Sequence, residues 1–442
     1  MLDKKALLSL LILALATATI WNPFATSCAI GGSVLLIAFY RWPLLGLILT
    51  ILTASLGEFG RLTIGGISFL ALDLLAPTVL GIFLLRQLLN KKPICPGQIG
   101  WALLIFWLVA ALSLLIGSFD LSTAEMKIAL LHLLRFIATS GLFFVAQELV
   151  NSRQQILGSM LTAGLILSGS GFYLLALIPD FTEAGLADLG WDPHIGRLTG
   201  TFLDPNFAAG FLAFLLGFAG AWFLQVKKVL QQFWLVSIAG ILLAAFFYTF
   251  SRSGLLALGA TIFVLGIMKN RTLLVGLIIV AILGVGASSR LQERLGELAG
   301  SAISLGTTSQ TVLDPTAQLR VDSWREALRI WGDNPLLGTG YGAYQTQQTF
   351  VEEESHAATG SDASLLNVAA TTGILGLLAF LFLIWQIGRA AWQTRQELMS
   401  LGLLAAGTGL LVHSIFVNSL FFAPLTLLLF ISTGLVKNEK KT

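Results

Sequence analysis

Charge is what this sequence has least of. Only 11% of its 442 residues are Asp, Glu, Lys or Arg, while 56% are hydrophobic. Soluble domains carry about 25% charged residues, so the shortage excludes a soluble chain of this size. Cysteine is nearly missing as well. Cys28 falls in an apolar run and Cys95 in a basic turn, which excludes a disulfide framework and indicates no metal site. There is no basic tract, and the net charge of +3 is small, so nothing points to nucleic acid.

What the sequence has is apolar runs from end to end, many long enough to cross roughly 30 Å of hydrocarbon. They predict an all-α fold, a polytopic transmembrane helical bundle of about fourteen spans. The approximate ranges are 7–22, 28–40, 43–57, 66–86, 100–117, 128–149, 156–178, 207–225, 233–249, 253–268, 272–288, 363–386, 399–416 and 420–436. The second and third are short and read equally as one re-entrant or tilted pair, which lowers the total to twelve or thirteen. The opening Met1-Leu-Asp-Lys-Lys resembles a signal peptide, but no small-residue cleavage site follows it, so it reads as a retained first span.

Lysines and arginines set the expected orientation. With the N-terminus cytoplasmic, one set of turns holds Lys4, Lys5, Arg41, Arg86, Lys91, Lys92, Arg153, Lys227, Lys228, Lys269, Arg271, Arg389, Arg395 and the lysines of the C-terminal tail. The short turns of the other set hold only Arg61, Lys127, Arg197 and Arg252. Both termini are then cytoplasmic. Two outer segments are long, about 179–206 and 289–362. The second is too long for a structureless connection and should fold as a small, partly helical element. The organisation expected is bundle over 1–288, extracytoplasmic loop element over 289–362, and bundle with a short tail over 363–442.

Arginine on the outer face runs against the orientation rule and calls for a reason, commonly a pathway or a site. Arg252 lies in Thr249-Phe-Ser-Arg-Ser-Gly254, at the outer end of two helices, as an anion ligand or a snorkelling side chain. Arg197 precedes Asp204-Pro-Asn206, a helix start whose free N–H groups favour an anion; the arginine can instead pair with Asp204 or Asp192. Arg320 belongs to an outer helix starting at Pro315, with Asp314 as its cap. At 100° per residue it shares a face with Trp324, Ala327, Leu328 and Trp331. Asp322, Arg325, Glu326 and Arg329 fall opposite, as a solvated, salt-bridged face. Arg135 and His132 share a face of the sixth span, as a phosphate ligand, a proton relay or an internal network. Glu58 and Arg61 read as a local salt bridge, Asp73 as a partner for one of these arginines, and His413 as structural. Arginine suits a diphosphate because its planar fork makes bidentate, charge-assisted bonds at any working pH.

Three stretches carry a family resemblance: Arg197-Leu-Thr-Gly-Thr-Phe-Leu-Asp-Pro-Asn-Phe207, Thr249-Phe-Ser-Arg-Ser-Gly-Leu255, and an outer-loop set. That set comprises Arg320-Val-Asp-Ser-Trp-Arg-Glu-Ala327, Asn334-Pro-Leu-Leu-Gly-Thr-Gly-Tyr341 and Gly373-Ile-Leu-Gly-Leu-Leu378. In order, spacing and sidedness they resemble the O-antigen ligase and polymerase family, over about residues 190–385. The resemblance implies an inverting glycosyltransferase of the C-type membrane class, acting in surface-polysaccharide or lipopolysaccharide biosynthesis without a metal or other cofactor. Its donor would be a glycan on undecaprenyl diphosphate. Its acceptor would be a glycan or a lipid-A-core-like sugar. Arg197, Arg252 and Arg320 would hold the diphosphate, with Arg135 as a further candidate.

Relatives place a histidine eleven residues before the Gly-x-x-Gly span entry, as the group that deprotonates or orients the acceptor hydroxyl. Here that position is Asp362. The nearest histidine is His356, behind the acidic run Glu352–Glu354. Either His356 reaches the site, or Asp362 is the base, or the chemistry is lost. Two other functions fit an arginine-lined bundle: a transporter of bicarbonate-like anions, and a non-catalytic assembly protein. The charges cluster near the outer face rather than at mid-membrane, and no interrupted helices recur in repeated halves, so the transporter pattern is not met.

Overall fold

The computed structural model describes residues 23–64, 67–186, 188, 191–269, 275, 315–348 and 360–436. The expected span at 7–22 lies outside these residues, as does that at 272–288 except for residue 275. The remaining runs all appear as helices. α1 (Pro23–Arg41) and α2 (Pro43–Ala54) are short, and they meet at a bend of 117°. They are the bent pair allowed for in the sequence, with Pro43 at the break. α1 turns Val34, Leu35, Leu36 and Ile37 outward, while α2 buries Leu47, Ile51 and Ala54.

Next comes a feature the apolar pattern did not suggest. Arg61–Ile64 (β1) pairs antiparallel with Ile67–Leu70 (β2), Arg61 opposite Leu70. The span expected from residue 66 therefore starts at Ala71 as α3 (Ala71–Leu89). β-branched and aromatic residues at 63, 64, 67 and 69 suit a strand better than a first helical turn.

Six long helices follow: α4 (Gly97–Gly117), α5 (Thr123–Glu148), α6 (Arg153–Leu177), α7 (Pro205–Phe223), α8 (Val229–Tyr248) and, later in the chain, α11 (Ser364–Gln393). Between the last two lie α9 (Arg252–Met268) and α10 (Pro315–Asp333), and the chain ends in α12 (Leu398–His413) and α13 (Ala423–Gly434). α3 to α8 and α11 are each long and apolar enough to cross a membrane. α7 is the axis: 67% of its apolar window is buried, against 22% for α8, which therefore faces lipid. α7 and α9 pack on α12, α13 on α5, and α11 on α4.

α12 and α13 have 16 and 12 residues. At 1.5 Å per residue they cover roughly 24 and 18 Å, less than the hydrocarbon thickness. Their connection, residues 414–422, lines a large cavity. Irregular backbone within a bundle is tolerated where it is buried in protein or lines a cavity. Nearly every residue of α13 is buried. The expected spans at 399–416 and 420–436 are thus shorter than their apolar runs, because part of each run forms this turn.

The outer helix α10 is tied to the bundle by an exchange of backbone hydrogen bonds; its expected cap, Asp314, lies outside the described residues. α11 breaks at Gly373 (φ 65°, ψ −167°). In an unbroken helix the amides of Ile374 and Leu375 would bond the carbonyls of Ala370 and Thr371. Here Ile374 and Leu375 donate to Pro335 and Leu336, while Thr339 and Gly340 donate to Ala370 and Thr371. The segment after α10 replaces the bonds that the helix forgoes. The Ser113 hydroxyl of α4 lies 2.7 Å from the carbonyls of both Leu337 and Thr371 and shares its one proton between them. Glycine is required at the contact: a Cβ on Gly373 would sit 2.2 Å from the Leu336 carbonyl carbon, and one on Gly338 (φ 68°) 2.3 Å from that of Thr371. The Asn334–Tyr341 and Gly373–Leu378 motifs are two halves of one joint.

Gly373→Ala should lower stability by about 1 to 3 kcal/mol, the cost of a strained position with no room to relax. Thermal unfolding in detergent measures this. Gly259→Ala is the control, since a Cβ there meets nothing within 4 Å, and it should be neutral or slightly stabilising.

Candidate active site

The concavity above the 414–422 turn has a volume of about 2240 Å³ and is lined from β2, α5, the loop before α7, α10, the segment entering α11 and the turn itself. Three side-chain clusters meet around it.

The first is built on helix starts. Asp204 caps α7, its Oδ1 accepting from Asn206 N at 2.6 Å and Phe207 N at 3.1 Å, with Pro205 as the first helical residue. The cap was legible, but its consequence reverses one expectation. The carboxylate takes the amides that were to greet an anion, so this helix start is not the anion site. Arg197 donates from Nε to the Thr249 carbonyl at 2.9 Å and from Nη2 to Asn206 Oδ1 at 3.4 Å. Ser251 caps α9 by accepting from Gly254 N, and donates to the same Asn206 Oδ1 at 2.8 Å. Arg252 follows as the first residue of α9 and is buried. Asn206 faces the cavity. Arg197 and the Arg252 turn therefore stand in the wall behind Asn206. The non-glycine residues Leu203 (φ 55°) and Phe250 (φ 49°) immediately precede the two caps. Such strain persists where surrounding structure enforces it.

The second cluster is carried by α10 and the entry to α11. Arg320 and Asp362 both line the cavity, and Ser323 Oγ accepts from Asp362 N at 3.1 Å. Burial pushes the Asp362 carboxyl up to about 6; Arg320 opposes the rise, and Asp204 and Asp192 add to it. The charge of Arg320 also reaches His413. Arg320 is thus coupled to both the general-base candidate and the first cluster.

α10 corrects the face expected from its sequence. Glu326 is buried, not solvated, and receives Arg329 Nε at 3.0 Å and Nη2 at 2.8 Å. Leu328 is exposed. The inward face centres on Ala327 and Ile330, which pack with Tyr344 and Ala370, and position 326 flanks that centre. Pairing with Arg329 offsets the cost of burying the carboxylate. Arg325 and Asp322 do form the expected exposed pair.

The third cluster lies on α5. Arg135 lines the cavity but makes a bidentate pair with Asp73, Nε to Oδ1 at 2.5 Å and Nη2 to Oδ2 at 2.6 Å. Asp73 also accepts from the Leu70 amide at 2.9 Å, capping α3. Asp73 is the anticipated partner, and Arg135 is the arginine it serves. His132 stands beside this pair. Arg61 and Glu58 form the expected local bridge at the rim.

Of the sequence-derived candidates, Arg135, Arg320 and Asp362 face one cavity, while Arg197 and Arg252 back it. His356 and the run Glu352–Glu354 lie outside the described residues. Sequence reasoning gave Asn206 only the role of a possible cap and treated His413 as structural. Neither carried a stronger signal, since their partners lie up to 160 residues away.

Residues 237–381 match the O-antigen ligase family model. The matched third of the chain runs from within α8, through α9 and α10, to the middle of α11, so it contains Arg252, Arg320 and Asp362. The expected family resemblance is borne out. The match to the O-antigen ligase family model supports a membrane glycan-transferring role. Among curated proteins, no match was found.

The Asp73–Arg135 pair is testable as a unit. Asp73→Leu, which strands a guanidinium against the bundle, should cost about 3 kcal/mol; Asp73→Leu with Arg135→Leu should cost clearly less. Thermal unfolding of the two single variants and the double variant measures the coupling. Additive losses would mean that the pair is not a structural unit.

Proposed function

We propose that this chain transfers an oligo- or polysaccharide from an undecaprenyl-diphosphate-linked donor to an acceptor hydroxyl, at the extracytoplasmic face of a bacterial inner membrane. The observation that carries this reading is that Arg320 and Asp362 line one large cavity, with the Arg197–Asn206–Ser251 wall beside them. The lysine and arginine distribution supports an extracytoplasmic position for that end of the bundle and cytoplasmic termini. The arginines supply positive charge without a metal.

In this reading Arg320 holds the diphosphate from the cavity, while Arg252 and Arg197 add positive charge from the wall behind Asn206. Asp362 takes the proton of the acceptor hydroxyl. The hydroxyl oxygen attacks the anomeric carbon from the face opposite the diphosphate, and the bond from that carbon to the diphosphate oxygen breaks. The electron pair leaves with the diphosphate and is stabilised by the guanidinium groups, so the anomeric configuration inverts. Asp362 is preferred to His356 as base because it lines the same cavity as Arg320. The acceptor is a glycan or a lipid-A-core-like sugar, and the room beside the α5 cluster is where it would sit.

Purified protein in lipid, given a polyprenyl-diphosphate-linked glycan and an acceptor saccharide, should form the new glycosidic bond in the presence of chelator. Arg320→Ala should reduce the rate by about 100-fold or more. Asp362→Asn should reduce it by about 100- to 10,000-fold, and His356→Ala should leave it near wild type. A carboxylic acid titrating near 6 is ionised above that pH and protonated below it. The rate should therefore be level above pH 6 and fall about ten-fold per unit below it. Full activity in Arg320→Ala, or labelled bicarbonate uptake without any glycan transfer, sinks the proposal.

A further inference from the structure

His413 is the most enclosed titratable side chain of the α12–α13 region, with no surface accessible to solvent. No step above uses it. Its ring nevertheless makes two polar contacts, to two parts of the chain. Nδ1 lies 2.6 Å from Ser419 Oγ, in the turn that floors the cavity. Nε2 lies 3.3 Å from Ser253 Oγ, in the first turn of α9. A Cβ on Gly210 would come within 2.9 Å of the imidazole, so α7 carries a glycine where the ring needs space.

These contacts join a longer chain. Ser253 Oγ lies 3.2 Å from Ser251 Oγ, and Ser251 donates to Asn206 Oδ1, which also accepts from Arg197. Ser419 donates in turn to the Val417 carbonyl on the floor. Arg252 stands between Ser251 and Ser253, so both of its neighbours are fastened to this network. The charge of Arg320 reaches the same imidazole. One ring thus ties the wall that carries Arg197 and Arg252 to the floor of the cavity and lies within the field of Arg320. An apolar residue of similar size would fill the volume and lose every one of these ties.

We propose that His413 is a positioning residue for anion binding: it sets the Arg252 turn and Asn206 against the cavity floor, and so governs how tightly a lipid-linked diphosphate is held. This rests on the donor assignment made above. The acceptor side, formed at Asp362 and α5, does not depend on it.

The test uses the full-length protein in detergent with geranylgeranyl diphosphate as the binding probe, together with the transfer assay. His413→Phe should weaken probe binding and raise the donor KM by about ten-fold, with the acceptor KM unchanged. His413→Gln, whose amide both donates and accepts, should recover most of the loss. Ser419→Ala and Ser253→Ala each remove one tie and should give about a three-fold change. Thermal unfolding accompanies every variant; should His413→Phe fail to fold, the two serine variants decide in the same way. A merely structural role would lower the unfolding temperature without separating the two KM values, and that result overturns the inference. So does wild-type probe affinity in a folded His413→Phe. If the wild type binds the probe, His413→Phe weakens that binding and no glycan is transferred, the positioning role stands and the transferase reading falls. If the wild type does not bind the probe, both fall.

Discussion

An exchange of backbone hydrogen bonds at a broken helix holds the outer element to the membrane bundle. At membrane depth a free amide or carbonyl costs several kcal/mol, so α11 can break at Gly373 only because residues 335–340 supply the missing partners. The exchange fixes more than one loop. It sets the register of the segment after α10 against the first turns of α11, where Asn367 and Thr371 face the cavity. It also places α10 so that Ser323 meets the Asp362 amide. The relation between Arg320 and Asp362 is therefore decided by glycines at 338 and 373, neither of which bears a functional group.

The cavity is composite. Its positive side comes from helix starts and a surface helix, its acidic side from caps and the entry to α11, and its floor from a turn sunk between two short helices. Charge is balanced locally. Asp73 satisfies Arg135, Glu326 satisfies Arg329, and Asp204 is spent on the amides of its own helix. Arg320 lines the cavity together with Asp362. A guanidinium that shares a cavity with a carboxyl of raised pKa, beside an arginine-bearing wall, suits chemistry in which a proton and a diphosphate leave by opposite routes.

Hydropathy and lysine–arginine placement made the helices legible, because span length is set by the bilayer and not by neighbours. The cap at Asp204 was legible too, being local. What failed to show depended on distant contacts. The strand at Ile67–Leu70 needed its partner strand. The burial of Glu326 needed Tyr344 and Ala370 to define which face of α10 turns inward. The Gly373–Leu378 motif was visible as a pattern, but its reason was hidden in residues 335–340. The tie between Asn206, Ser251 and His413 spans three helices, and no local spacing encodes it. The site residues that were found share one property: each is a charge where the membrane disfavours charge.

α1 and α2 meet at 117°, and α1 turns a row of large apolar side chains outward with little of its own surface covered. Lipid tails, more than protein contacts, supply its surroundings. A micelle that replaces those tails removes the medium that orients this helix while leaving the buried axis around α7 intact. Preparations in nanodiscs and in detergent should therefore differ first at this end of the chain.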